Sequence, residues 1–374
     1  MLNVTIVCSS LVRQGPTNVL FNMLSAYSHL DTDVKYRILT LSPEQETSRK
    51  EEFENLGIRV DSLNLQPGYK TAKSLKLIKE GIMETEPDIC QTSGFRTDLL
   101  VSFIQLPGVK KISSLWNYPY EDYRPDYGYV KGSLMAFLHL IRLRRFDRVI
   151  PCSCFIEEQV KKYRLKTTTI HTGVPMDYFS PLTLEERLVR RIELDIPQDA
   201  KVFIFIANLI PRKNPEILIR AFRRVKNANA LLLVMGDGPL YDNCRNLNLG
   251  NPNVRFLGRQ PGTLKYLQVS DFYISPSFSE GFPTAVLEAM SVGVTPVLSN
   301  ISPHMEMLNG VPYNISFSPD NEEELVKSIN RSLEYEGAFD YRKYMEENFS
   351  DKLMFRRFEA VYKDLLKSGA AQIS

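Results

Sequence analysis

The sequence predicts an α/β protein with two open, parallel, doubly wound sheets in tandem. Two observations carry that prediction. Short, unbroken, β-branched runs such as residues 2–8 and 202–207 read as strands buried on both faces, as parallel strands are. Each leads through a polar loop into a helical pattern; the alternation runs to a Gly/Pro-rich stretch at 172–181 and then restarts. A chain of 374 residues has room for two such domains.

Composition narrows the class. Hydrophobic residues make up 43% and charged residues 24%, as in an ordinary globular protein. Lysine and arginine (46) nearly balance aspartate and glutamate (44), and a net charge of +2 argues against a nucleic-acid partner. Cys8, Cys90, Cys152, Cys154 and Cys244 are odd in number and show no paired CxxC spacing, so reduced thiols are expected rather than disulfides or a zinc site. Four histidines leave little for a His-based metal centre. The apolar start lacks the charged lead of a signal peptide, and no run reaches the roughly 18 apolar residues of a spanning helix. A cytoplasmic protein is expected, with any membrane contact peripheral.

In the first half, strand 2–8 enters a loop containing Gly15, Pro16 and Thr17, then a helix with Val19, Leu20, Met23 and Leu24 on its apolar face. Strand, glycine loop and helix put that loop at the ligand edge of a doubly wound sheet, although Gly15-Pro16 reads equally well as a plain turn. It lacks GxGxxG, which disfavours a dinucleotide and hence an NAD-dependent oxidoreductase. Strands follow at 36–40, 59–63, 88–92 and 110–115, with helices at 44–56, 71–85 and 98–103. Residues 116–129 hold five tyrosines, the only tryptophan and three acids, and read as an aromatic loop. Asn117, Tyr118 and Glu121 there suit stacking on and hydrogen bonding to a carbohydrate acceptor. The alternative is a self-packed surface loop.

A helix is expected at 131–148, apolar at Leu134, Phe137, Leu138 and Ile141. Arg142, Arg144, Arg145 and Arg148 make its end basic, and Lys161, Lys162, Arg164 and Lys166 follow. Such a face suits an anionic membrane, or simply solvated charge. A strand at 149–152, a helix at 154–163 and a strand at 168–171 lead to the hinge, which divides domains at 1–178 and 179–351.

In the second half, strand 202–207 ends at Asn208, with Arg212 and Lys213 close to its terminus. A diphosphate would need positive charge there; the alternative is an exposed basic turn. Strand 231–235 ends in Gly236-Asp237-Gly238, which permits close approach of backbone to a ligand or makes a tight turn. Strand 254–257 ends at Gly258, and a helix is expected at 264–269. Strand 272–275 then leads into Glu280, Gly281, Phe282 and Pro283, with Pro283 suited to the first turn of a helix over 284–291. That helix is apolar on most sides, with Thr284 at its start and Glu288 about one turn inside.

A helix N-terminus, with orphan N–H groups and a positive dipole end, binds phosphate. Carboxylates beside it can accept from sugar hydroxyls. Taken singly, Glu280 and Glu288 read as solvated acids. A helix this apolar should be buried, however, and a buried carboxylate needs partners. Phosphate plus sugar hydroxyls means a nucleotide-sugar. Helices at 322–335 and 351–367 close the chain.

With these residues in place, the chain resembles the family 4 glycosyltransferases, retaining enzymes of the GT-B fold. Glu280 and Glu288 match the family's E-x7-E pattern, and Lys213 falls on its donor-phosphate lysine. Gly236-Asp237-Gly238-Pro239 matches its nucleotide loop, residues 171–179 its interdomain hinge, and residues 15–18 its N-terminal glycine loop. Residues 117–123 look more narrowly like enzymes building bacterial surface polysaccharides such as O-antigen or capsule.

The resemblance implies two Rossmann-like domains with parallel sheets facing across a cleft, and a C-terminal helix (352–374) packed back on the first domain. It implies a retaining transfer from a nucleoside-diphosphate sugar, with UDP expected, to a lipid-linked saccharide acceptor, and neither cofactor nor metal. Lys213 and Arg212 would neutralise the departing diphosphate, and Glu280 would orient the transferred sugar. Glu288 would hold the ribose, with Asn208, Gly236, Asp237, Gly238, Gly258, Gly281, Phe282, Pro283 and Thr284 lining the donor. The acceptor would meet Gly15, Pro16, Thr17, Asn117, Tyr118 and Glu121. Asp31-Thr32-Asp33 is a formal DxD but reads as a turn.

The chain departs from the family pattern at several points. Ala207-Asn208 replaces Gly-Arg, and Trp116 or Asn117 stands in place of a histidine. Thr172 stands in place of the hinge asparagine, and residues 302–306 in place of Gly-Gly-x-Pro-Glu. These departures keep a second reading open: a catalytically weak homologue that binds sugar-nucleotides or serves as a partner subunit.

Overall fold

The computed structural model describes residues 1–66, 71–312, 314–335, 337 and 339–370. Its strands fall into two six-stranded sheets, and every strand pair is parallel. The first contains β1 (Leu2–Cys8), β2 (Val34–Thr40), β3 (Arg59–Ser62), β4 (Ile89–Ser93), β5 (Lys110–Leu115) and β6 (Arg148–Pro151). Its order is β3-β2-β1-β4-β5-β6. The second contains β7 (Lys201–Ile206), β8 (Ala230–Met235), β9 (Val254–Gly258), β10 (Phe272–Ser275), β11 (Thr295–Ser299) and β12 (Ile315–Phe317). Its order, β9-β8-β7-β10-β11-β12, repeats that of the first. Strand order reverses between β1 and β4 and again between β7 and β10. In such sheets ligands bind beyond the carboxyl ends of the strands at the reversal. Two open, parallel, doubly wound sheets in tandem, as expected, are what the chain adopts.

The chain divides into two compact units, Met1–Pro175 with Asp351–Ser374, and Met176–Ser350. In the first, Phe355, Phe358 and Tyr362 of the Asp351–Ala370 helix are fully buried against the Gly15–Tyr27 helix and the core side chains of β1 and β2. Each such ring stabilises by about 1.5–3 kcal/mol on burial, so this last helix is part of the first core. Residues 371–374 of the expected terminal helix lie outside the described residues. In the second unit, Phe203 of β7 stacks on Phe272 of β10 at 4.7 Å and meets Phe222 edge-on at 5.4 Å, which holds β7 against β10.

Several sequence expectations change. The aromatic stretch 116–129 is not a loop but largely helix, Pro119–Tyr127, followed at once by a second helix, Tyr129–Leu143. Pro119 opens the first because its φ is preset for a helix, and Gly128, at φ +80°, joins the two. Pro125 inside the helix and the lack of apolar periodicity hid this from the sequence. The second helix stops at Leu143 because Arg148 already starts β6. The helix expected at 44–56 shrinks to Lys50–Asn55, since Glu44 instead accepts the Leu11 backbone N–H at 3.0 and 3.1 Å. Residues 168–171 form no strand; the neighbouring Thr167 makes only an isolated bridge to Val149. β12 and the helices Ser302–Met307 and Tyr341–Asn348 had no clear sequence signal.

Candidate active site

The two loops at the reversal of the second sheet are tied together. After β7 the chain passes exposed Asn208 and buried Leu209 into a single 3-10 turn, Pro211–Lys213. Asn214, left-handed at φ +51°, ends that turn and starts the Pro215–Arg224 helix. After β10 the chain crosses 276–283 to the Thr284–Ser291 helix. Phe278 N–H donates to the Arg212 carbonyl at 2.9 Å, and Arg212 Nη1 donates to the Ser279 carbonyl at 2.9 Å.

These ties bring Lys213 and Arg212 onto Glu280. Lys213 Nζ lies 2.5 and 2.6 Å from the two Glu280 oxygens, and Arg212 Nη1 lies 3.6 Å from Oε2. Ser277 Oγ donates to Glu280 Oε1 at 2.7 Å. Glu280 is only 7% exposed. Burial alone would raise its carboxyl; Lys213, Arg212 and His304 outweigh that and hold it down at about 2. A buried carboxylate needs partners, and these are the partners.

His304 stands behind this cluster. Its Nδ1 lies 2.9 Å from the Ser299 carbonyl, which can only accept, so Nδ1 carries the proton. Ser299 Oγ in turn donates to the Ser277 carbonyl at 2.7 Å, which props the loop that holds Glu280. Among the described residues, His304 Nε2 is buried without a hydrogen-bond partner. Burial outweighs the pull of Glu280 and pushes the ring down to about 4, so it is neutral at pH 7.

Glu288 has different company. It is half-buried and accepts from Thr263 Oγ1 at 3.1 Å. Burial outweighs that single bond and raises its carboxyl to about 7. Tyr273 of β10 is buried, donates to the Ile206 carbonyl at 3.1 Å, and feels both Glu280 and Glu288. Ser277, Thr263, Tyr273 and Ser299 are the residues that motif reading passed over, whereas His304 lies in the 302–306 segment noted as a departure from the family pattern. Ser277, three residues before Glu280, offered a faint spacing signal; Thr263 offered none.

The remaining expected donor residues sort by environment. A Cβ on Gly236 would stand 1.9 Å from the Ala207 carbonyl oxygen, and one on Gly238 2.7 Å from that of Leu209. The backbone these glycines approach is therefore the Lys213 loop itself, joined by Leu209 N–H to the Asp237 carbonyl at 2.8 Å. Asp237 is exposed, and Gly258, at φ +65°, accepts from Gly236 N–H at 2.9 Å. Gly281 is buried, and the Phe282 ring packs on Phe349 at 5.4 Å, so that side chain serves the core. Pro283 (φ −71°, ψ 114°) precedes the helix as its cap rather than standing in its first turn, which Thr284 opens.

In the first unit, Gly15 starts its helix, exposed, with nothing within 4 Å of a Cβ placed there; Pro16 follows it, and Thr17 is buried. Asn117 donates to Asp122 Oδ1 at 3.3 Å, Glu121 is half-buried, and Tyr118 is turned inward beside Tyr120. Trp116 Nε1 donates to Ser93 Oγ at 2.7 Å, linking the carboxyl ends of β5 and β4. Neither unit by itself groups three His, Cys, Asp or Glu side chains at metal-binding distance among the described residues.

The model of the family described as glycosyl transferases group 1 matches residues 187–351. An uncharacterised glycosyltransferase of Methanocaldococcus jannaschii is 32% identical over 63% of this chain and 59% of its own length. An O-antigen biosynthesis glycosyltransferase of Escherichia coli is 24% identical over 75% of this chain and 80% of its own. The chain spans between about half and three-fifths of the length of the first curated relatives it matches. Among solved structures, Anabaena HepE in complex with UDP-glucose superimposes with a TM-score of 0.80, at 16% identity, over 97% of this chain and 100% of its own. The expected likeness to GT-B glycosyltransferases is borne out. Every donor-side residue from Asn208 to Glu288 lies inside the matched segment.

Proposed function

We propose that this chain is a retaining glycosyltransferase that moves a sugar from a UDP-sugar to a lipid-linked saccharide in the building of a surface polysaccharide. The observation that carries the reading is the Lys213–Arg212–Glu280 cluster at the carboxyl ends of β7 and β10. Two cations, near the start of the Thr284–Ser291 helix whose first-turn N–H groups have no acceptor within the helix, make a site for a diphosphate. The matched segment, the O-antigen relative and the UDP-glucose complex of the structural neighbour support it.

In the reaction, the bond between the anomeric carbon and the diphosphate oxygen breaks, and a bond to the acceptor oxygen forms on the same face. The acceptor proton passes to the departing diphosphate. Lys213 and Arg212 stabilise the charge that develops there, the dominant catalytic contribution. Arg212 thereby fills the role of the family arginine that Asn208 does not supply. Glu280 holds Lys213 in place and orients the transferred sugar, and Glu288 with Thr263 takes the ribose hydroxyls. The two cations do what a metal would otherwise do, and no cofactor takes part.

The acceptor is assigned to the first unit, at Gly15–Thr17 and Asn117–Glu121. On the Tyr129–Leu143 helix, Val130, Leu134, Phe137 and Leu138 are exposed, with Lys131, Arg144 and Arg145 exposed around them. This face suits peripheral contact with the anionic inner surface of a cell membrane, where a lipid-linked acceptor resides. No helix among the described residues is long and apolar enough to cross a membrane.

A sugar-nucleotide-binding partner subunit is the second reading, favoured by Ala207-Asn208 where the family has Gly-Arg. Incubation of the purified protein with radiolabelled UDP-sugars and diphospholipid-linked saccharides separates the two. Transfer with the anomeric configuration kept, read by NMR, supports the enzyme. Binding without transfer supports the subunit, and an inverted product overturns the mechanism.

A further inference from the structure

The first unit contains a buried polar chain that the donor chemistry does not use. Asp98, on the Phe95–Val101 helix after β4, is fully buried and accepts from Thr92 Oγ1. Its Oδ2 lies 2.8 Å from His139 Nε2, and His139 Nδ1 lies 2.8 Å from Tyr123 OH. A carboxylate can only accept, so His139 donates through Nε2; its Nδ1 lone pair then accepts the Tyr123 O–H. His139 is 1% exposed. Phe95 closes the cluster, its ring 5.4 Å from both Tyr123 and His139.

Three helices meet at this chain: Phe95–Val101, Pro119–Tyr127 and Tyr129–Leu143. Well-packed apolar side chains could hold them together as strongly, since burying a charge-bearing group carries a desolvation cost. A hydrogen-bonded chain adds uniqueness, because its donors and acceptors match in one relative position of the helices. The helix so fixed carries Glu121 in its first turn, two residues before Tyr123, and Asn117 lies just ahead of its cap. Backbone contact reinforces the joint: a Cβ on Gly132 would stand 2.5 Å from the Tyr123 carbonyl oxygen.

We propose that Asp98 and His139 are positioning residues for the acceptor: through Tyr123 they set the helix entry that presents Asn117 and Glu121 to the saccharide. This rests on the transferase reading above and assigns the chain no part in holding the donor.

The test compares wild type with Asp98→Asn, His139→Phe and Tyr123→Phe. It measures KM for acceptor, KM for UDP-sugar, and hydrolysis of UDP-sugar without acceptor. The expected result is an acceptor KM raised roughly tenfold to a hundredfold, as misplacement by about 1 Å produces, with donor KM and hydrolysis unchanged. An unchanged acceptor KM, or both KM values rising together, overturns the positioning role while leaving the transferase reading intact. A wild-type protein that transfers no sugar overturns both. If His139→Phe fails to fold, Tyr123→Phe, which loses a single oxygen, gives the same comparison.

Discussion

Lys213 Nζ sits between the two carboxylate oxygens of Glu280, 2.5 and 2.6 Å away across 67 residues of sequence. Glu280 is buried and Lys213 half-buried, and each member needs the other. Lys213→Ala leaves Glu280 without its main counter-charge, a change that costs about 3–5 kcal/mol when a buried pair is broken. The variant should melt well below wild type at pH 7. Lys213→Ala with Glu280→Gln should recover part of the loss, because no uncompensated charge remains. Thermal unfolding of the three proteins checks this; a double variant as unstable as Lys213→Ala would show that the pair is not coupled.

Acid should act on this cluster in a defined order. His304 is held at about 4 against an ordinary value of 6.5, so the folded state takes up fewer protons than the unfolded one between them. Its contribution to stability is complete above pH 6.5 and is lost as pH falls through about 4. Glu280, held at about 2 against 4.5, contributes fully above 4.5 and is lost as pH falls toward about 2. Urea titrations of His304→Asn and wild type at pH 7 and pH 5 should differ less at the lower pH. A gap that stays constant would contradict the neutral, buried ring.

Glu288 predicts the opposite slope. Its carboxyl is raised from 4.5 to about 7, so the folded state holds an extra proton in that window, and stability falls as pH rises through it. Glu288→Gln should therefore gain stability relative to wild type at pH 8 and lose that advantage at pH 5. The same variant should weaken UDP-sugar binding at pH 8, where Glu288 is ionised and an amide is a poorer acceptor for ribose hydroxyls, and should bind much as wild type does at pH 5, where Glu288 is protonated. Melting curves at the two pH values, with and without UDP, read both effects.

The glycines divide by what surrounds them. Gly236→Ala would drive a Cβ to 1.9 Å from the Ala207 carbonyl oxygen at a backbone φ of +134°. It should destabilise on the order of 3 kcal/mol or more and displace the Lys213 loop. Gly15→Ala meets nothing within 4 Å at the start of a helix, so stability should be unchanged or slightly raised. A loss of transfer in Gly15→Ala with its melting temperature intact would mark Gly15 as a ligand-facing position.

Val130 is 81% and Leu134 57% exposed on the helix with the apolar and basic face. Val130→Ser with Leu134→Ser should reduce binding to vesicles containing anionic lipid, with turnover of a water-soluble acceptor unchanged. Equal vesicle binding would remove the membrane role.

The alternation of short apolar strands with helices made the fold class legible, and the Thr284–Ser291 helix falls where its periodicity placed it. The site was legible in outline only. Glu280 and Lys213 carried recognisable spacing, but their pairing depends on a strand order that places β7 beside β10, and local pattern does not encode that neighbourhood. Thr263 acts through a hydrogen bond to Glu288, and Ser299 through hydrogen bonds to Ser277 and His304, which no spacing announces. The Pro119–Tyr127 helix was missed because tertiary contacts on Tyr123 and Gly132 outweigh a sequence poor in helix signals.

The most direct measurement is calorimetric titration of UDP into wild type and Lys213→Ala, the latter first shown to be folded by circular dichroism. If Lys213, Arg212 and the adjoining helix N-terminus hold a diphosphate, wild type binds one UDP per chain and the variant binds it at least about tenfold more weakly. Equal affinity in the two proteins, or no binding by wild type, would contradict the assignment of this cluster as the donor site.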